Sequence, residues 1–168
     1  MITIENYLIA DKGVDKVWDL FNDVGTMANC VPTCVSYEKI DDSAVNCNLR
    51  LKLGLIPLDS KCRMQITQRE GNRQLVAEGQ TEAGETLKTF GKLGTENTTK
   101  LHIAVDLEEI SSDQTLIHFC INANAVGQMR RIYEMVIKGQ RVKLEAKFIN
   151  NVQAALGANV SVKGAEAS

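Results

Sequence analysis

Side chains able to do chemistry are few in this chain, and they are scattered. It has five cysteines and two histidines. Cys30 and Cys34 form C-V-P-T-C, which has neither zinc-knuckle nor thioredoxin spacing, and Cys47, Cys62 and Cys120 fall singly in predicted strands. An odd count without scaffold spacing reads as buried, reduced thiols acting as small apolar groups. No histidine stands near them, so no metal site is expected. His102 is out of phase with Leu101, Ile103 and Val105, and His118 with Ile117 and Phe119. Both histidines are therefore expected on an outer sheet face, as cross-strand neighbours, with Asp106 and Glu108 in the same phase. No inward acid–base pair, phosphate loop or nucleophile elbow is legible. The expectation is a non-catalytic protein with no cofactor, and the chemistry left to the chain is apolar binding.

The element that would position a binding site is the stretch Gln128–Leu156, with no proline and one glycine. As a helix it would run roughly 40 Å. Apolar residues recur every fourth position at Ile132, Val136, Leu144, Phe148, Val152 and Leu156, with Gln140 as the interruption. Such a row drifts about 40° per step and asks for cover from more than one side. Gly139 is read as a place for a kink or a close sheet approach.

Most of the preceding chain has period two. Strands are predicted over 1–10, 35–40, 44–53, 58–69, 73–81, 99–110 and 115–125. Leu51 and Leu53, Met64, Ile103 and Val105, and Phe119 and Ile121 lie on inward phases. Val14–Phe21 has helical spacing, and a short second helix is expected before Pro32. Residues 82–98 read as a long loop or extended hairpin, a candidate flap over a pocket mouth. The tail 158–168 is small and polar and reads as disordered. One domain over 1–157 follows, of α+β class. Its architecture is a seven-stranded curved antiparallel sheet around the long helix, with two short helices after the first strand.

A net charge of −2 and pI near 5.7 argue against nucleic-acid binding. The start MITIENYLIADKG lacks a basic n-region and no apolar run approaches a bilayer span, so a cytoplasmic protein is expected. The long helix carries Arg130, Arg131, Lys138, Arg141, Lys143 and Lys147 against Glu134 and Glu145, a net +4. That face reads either as a solvated surface or as a contact for anionic lipid or an acidic partner.

The order of elements resembles the helix-grip fold of the START/Bet v 1-like superfamily. Val17-Trp18 matches the start of its first helix. Asn29–Cys34 resembles the C-I-P-G-C stretch of the carbon monoxide dehydrogenase G-subunit family, and Leu51–Ile56 its V-K-V-G-P-I strand end. Val126-Gly127-Gln128-Met129 and Lys147–Asn151 are similar to its V-G-G-x-L and Q-F-F-x-N-L ends. Thr33 and Tyr133 stand where that family has glycine, and the segment 84–98 is longer. The resemblance implies an accessory protein of a molybdenum hydroxylase-type enzyme. It implies binding of a quinone or lipid-like ligand and peripheral contact at the inner membrane face. The cavity lining would be Leu51, Leu53, Met64, Ile103, Val105, Phe119, Ile121, Ile132, Tyr133 and Val136, with Gln140 offering a ligand carbonyl its hydrogen bond. A filled core serving a protein-interaction adaptor and a cyclase-like enzyme are the other readings.

Overall fold

The computed structural model describes residues 2–92 and 97–163. In chain order the elements are β1 (Ile2–Ala10), α1 (Val14–Asn22), α2 (Val24–Cys30), β2 (Cys34–Lys39), β3 (Ala44–Leu53), β4 (Ile56–Glu70) and β5 (Gln74–Ala83). There follow α3 (Glu85–Gly91), β6 (Thr98–Ser111), β7 (Gln114–Asn124), α4 (Gly127–Leu156) and β8 (Val160–Val162). The strands form one antiparallel sheet in the order β2-β3-β4-β5-β6-β7-β1-β8.

Alternation makes the sheet two-faced. Leu75, Ala77, Val105, Leu107, Ile117 and Phe119 are buried on the inner face, while their neighbours in sequence point outward. Register shifts in β2, β4 and β6 bend the sheet. Gly79 is needed on this face: a Cβ there would lie 2.1 Å from Met64 Sδ and 2.5 Å from the Arg63 carbonyl oxygen. The bare glycine lets the Met64 side chain lie across β5.

Asp23 ends α1 and starts α2, its carboxylate accepting from the Thr26 N–H at 3.1 Å. The 30-residue α4 is closed by Gly157 at φ +68°, whose N–H donates to the Gln153 carbonyl at 2.8 Å.

Three expectations are corrected. The sheet has eight strands, not seven, because the tail returns to β1: Leu8 pairs with Val162 and Ala10 with Val160. The Val160 N–H donates to Gln153 Oε1 at 2.9 Å, and Val160 is buried. The expectation of disorder fails over these residues; 164–168 lie outside the described residues. The segment after β5 is not a loop at its start. It forms α3, whose Leu87 is 2% exposed against Leu58 and Met129. Residues 93–96 lie outside the described residues.

Candidate functional site

The long helix is seated at both ends and lifted in its middle. At the N-terminal end Met129 and Ile132 join Leu58, Ala83, Leu87 and Ala125 in one apolar cluster. At the other end Val152 belongs to the main core with α1, α2 and β8. Met129 and Val152 are both 0% exposed. Between these anchorages Ile137, Leu144, Phe148 and Ile149 are only half-buried. The fourfold row rotates as it runs, so the inward residues of the two ends do not share one straight stripe.

Two adjoining chambers lie under α4, and a third lies beside them beneath α2. One of about 230 Å³ is bordered by Leu51, Ser60, Thr81, Thr99, Tyr133 and Ile137 among others. A second of about 210 Å³ is lined by Phe21, Phe119, Leu144 and Phe148 and shares Ile4 and Ile121 with the first. A third of about 140 Å³ runs beneath α2 past Met64 and Cys47, sharing Phe21, Ile103 and Val105 with the second. The Phe119 and Phe148 rings meet edge to face, 5.7 Å between centroids. Ionisable side chains on the three walls are Tyr133, Glu145 and Cys47; Glu145 pairs with Arg141 at 2.7 Å.

Of the residues expected to line a cavity, Leu51, Met64, Ile103, Val105, Phe119, Ile121 and Tyr133 border these chambers. Leu53 packs beside the N-terminal cluster, to which Ile132 belongs. Val136 is buried. Neither Leu53, Ile132 nor Val136 reaches the open space. Gln140 is a correction: its Nε2 donates to the Lys52 carbonyl at 2.6 Å. Backbone groups of the even-numbered β3 residues turn toward β2, as the Arg50 N–H does to the Thr33 carbonyl, and β2 begins only opposite Leu49. That carbonyl is left without a strand partner, and Gln140 serves it. Gly139 is exposed within an unbroken helix, and a Cβ there would meet nothing within 4 Å, so it marks no close approach.

Sequence reasoning missed the hydroxyls. Ser60, Thr81 and Thr99 are buried on the inner face, and Thr81 stands directly opposite Thr99. Their signal is phase: Thr99 is in phase with Leu101 and Ile103, and Thr81 with Gly79 and Ala77.

The outer face holds the histidines. They are not cross-strand neighbours: His102 pairs with Asn122, and His118 lies between Tyr7 and Asp106. His118 stacks on Tyr7 at 4.3 Å, with Nε2 3.6 Å from Glu5 and Nδ1 3.6 Å from Asp106. All five cysteines are free. Cys47 and Cys62 face one another across β3 and β4, and burial first, then neighbouring thiols, pushes both up to about 12. They are neutral, unreactive groups at physiological pH. Among the described residues no His, Cys, Asp and Glu cluster could hold a metal ion.

An antiparallel sheet wrapped on one long C-terminal helix, with space between them, defines a helix-grip protein of the START/Bet v 1-like kind. Residues 10–157 match the family described as the carbon monoxide dehydrogenase G subunit (CoxG), and the chain belongs to that family. No curated protein matches it. Among solved structures it is similar to a conserved protein from Geobacillus kaustophilus, at TM-score 0.72 and 15% identity, covering 95% of this chain and 99% of that one. It is also similar to a norcoclaurine synthase point mutant from Thalictrum, at TM-score 0.58 and 13% identity, covering 93% and 94%. The Zhui aromatase/cyclase from a Streptomyces species gives TM-score 0.53 and 14% identity, covering 90% and 94%. At these identities the structures speak to fold alone. Family and fold together support an accessory role built on binding apolar molecules. No helix among the described residues is long and apolar enough to cross a membrane.

Proposed function

We propose that this protein is a non-catalytic carrier of an apolar small molecule, quinone-like or lipid-like, serving a molybdenum hydroxylase-type enzyme at the inner membrane face. The observation that carries the reading is the lifted middle of α4. It leaves adjoining chambers of about 230 and 210 Å³ over an inner face of Leu, Ile, Val and Phe, and a third of about 140 Å³ beneath α2 shares walls with the second. Together these fall within the size range of small-molecule sites, roughly 300–1,000 Å³. Burial of a ligand there is driven by removing apolar surface from water, at about 25 cal/mol per Å². For a ligand taken from a bilayer that term largely cancels, so shape and handover to a partner decide the direction of transfer.

Membrane contact is supported by the tip of the β3–β4 hairpin, where Leu55 is 98% exposed and Ile56 is exposed beside it. The Gln140–Lys52 bond holds that hairpin against the middle of α4. Met135 and Val142 are exposed on the helix, in the same stretch as Lys138 and Arg141. Each cation near an anionic surface contributes about 1 kcal/mol.

Native mass spectrometry on gently purified protein, followed by solvent extraction, tests the carrier reading. The expected result is a discrete added mass released as a quinone or other lipid. A clean unliganded mass that persists after incubation with quinones contradicts it and favours the adaptor. Flotation with phosphatidylglycerol vesicles tests the contact: wild type is expected to float and Leu55→Glu to float less. Equal flotation of both removes the hairpin tip from the membrane contact.

A further inference from the structure

The chamber under the N-terminal half of α4 differs from the phenylalanine-lined chamber in holding hydroxyls. Thr81 and Thr99 oppose each other across β5 and β6 and are 3% and 1% exposed. Ser60, on the adjoining strand β4, borders the same space. The Tyr133 hydroxyl comes down from α4 to 3.5 Å from Thr81 Oγ1, the outer limit of a hydrogen bond. Thr99 Oγ1 is shielded from solvent and has no hydrogen-bond partner among the described residues.

A buried hydroxyl without a partner costs free energy that a valine of the same shape would not. The other inward positions of β6 are Leu101, Ile103, Val105 and Leu107, so a valine would suit the strand. The hydroxyl at Thr99 has a use only if something in the chamber bonds to it. No Lys, Arg, His, Asp or Glu borders this chamber. A carboxylate or phosphate placed there would be an unpaired buried charge, which is strongly disfavoured. A neutral carbonyl or hydroxyl oxygen fits. The adjoining chamber, reached past Ile4 and Ile121, offers Phe21, Phe119 and Phe148, and its polar members Asn6 and Glu145 are half-buried.

We propose that Thr99, with Thr81 and Tyr133, forms the polar end of the binding site. It selects an uncharged amphiphile whose carbonyl or hydroxyl oxygen seats against these hydroxyls while its hydrocarbon fills the phenylalanine-lined chamber. The inference rests on the carrier reading and adds the ligand's polarity and orientation to it.

The test is equilibrium dialysis of the full chain against two probes of one shape, 2,3-dimethyl-1,4-naphthoquinone and 2,3-dimethylnaphthalene. Both quinone ring positions are blocked, so the free cysteines cannot add to it. Wild type is expected to hold the quinone more tightly than the hydrocarbon. Thr99→Val is expected to lose about tenfold for the quinone, the size of one hydrogen bond, and to hold the hydrocarbon within about twofold. Tyr133→Phe repeats the split at a second position, should the first variant fail to fold. Equal losses for both probes, or none for either, overturn the polar end and leave the carrier standing. Failure of wild type to take up either probe overturns the carrier reading itself.

Discussion

The two larger chambers under α4 share walls from the same sheet yet differ in chemistry. Toward the N-terminal end of the helix the inner face presents Ser60, Thr81 and Thr99 beneath Tyr133. Toward the C-terminal end it presents Phe119, with Phe21 and Phe148 closing over it. The strands alternate equally well in both places, so the difference is not one of secondary structure. A hydroxyl on an inward phase adds nothing to packing that a methyl would not, and its location reports where a polar atom is received. The phenylalanine end reports only that something apolar is covered there. The pair of chambers reads as one site with a direction.

The comparison can be broken most forcefully at Phe119. Phe119→Ala removes a buried ring and its edge contact with Phe148, at an expected cost of about 3–5 kcal/mol in denaturant unfolding. It should weaken the quinone and the hydrocarbon probes alike, because it acts on the apolar end. A loss confined to the quinone would mean that the two ends have been assigned in reverse. Ile121 borders both chambers, and Ile121→Trp places bulk at their junction. The expected outcome is a stability change of about 1–3 kcal/mol with loss of measurable uptake of either probe. Undiminished uptake would show that the chambers are not joined there.

The thiols add a third region to the contrast: Cys47 borders the chamber beneath α2, Cys62 faces Cys47 across β3 and β4, and burial holds both neutral. Cys47 and Cys62 ionise near 9 in an unfolded chain and near 12 when folded. The folded value is raised, so their contribution to stability is complete below pH 9 and is lost as pH rises toward 12. A melting temperature that falls over that window in wild type, and falls less in the Cys47→Ala/Cys62→Ala variant, is the expected result. Identical profiles would remove the thiols from the contrast. The smallest effect is expected at Gly139. Gly139→Ala should add about 0.5–1 kcal/mol to stability and leave both probes unaffected, since a Cβ there meets nothing within 4 Å.

Much of this arrangement is legible in the sequence. Period-two alternation locates the long strands, and the fourfold apolar row locates α4. The parts that are not legible depend on distance in space. β8 spans three residues, too few for a periodic signal, and it exists because Gly157 turns the chain back onto β1. α3 is seven residues long, between Gly84 and the left-handed Lys92, and its helical pattern is diluted by glycines. Gln140 is in phase with the apolar row, yet its partner lies 88 residues away and is left open by where β2 begins. Inward Thr81 and Thr99 were readable from phase alone. That one of them would lack a partner required the whole chamber.

The most direct test of the central claim, one apolar ligand lying across both chambers, is intermolecular NOE measurement on a complex with 2-nonyl-3-methyl-1,4-naphthoquinone. The predicted contacts run from the quinone ring methyl to the Thr99 methyl and the Tyr133 ring, and from the nonyl chain to the rings of Phe119 and Phe148. Contacts in the opposite order would contradict the assigned direction. Contacts confined to exposed residues such as Leu55 and Val142 would contradict the internal site altogether.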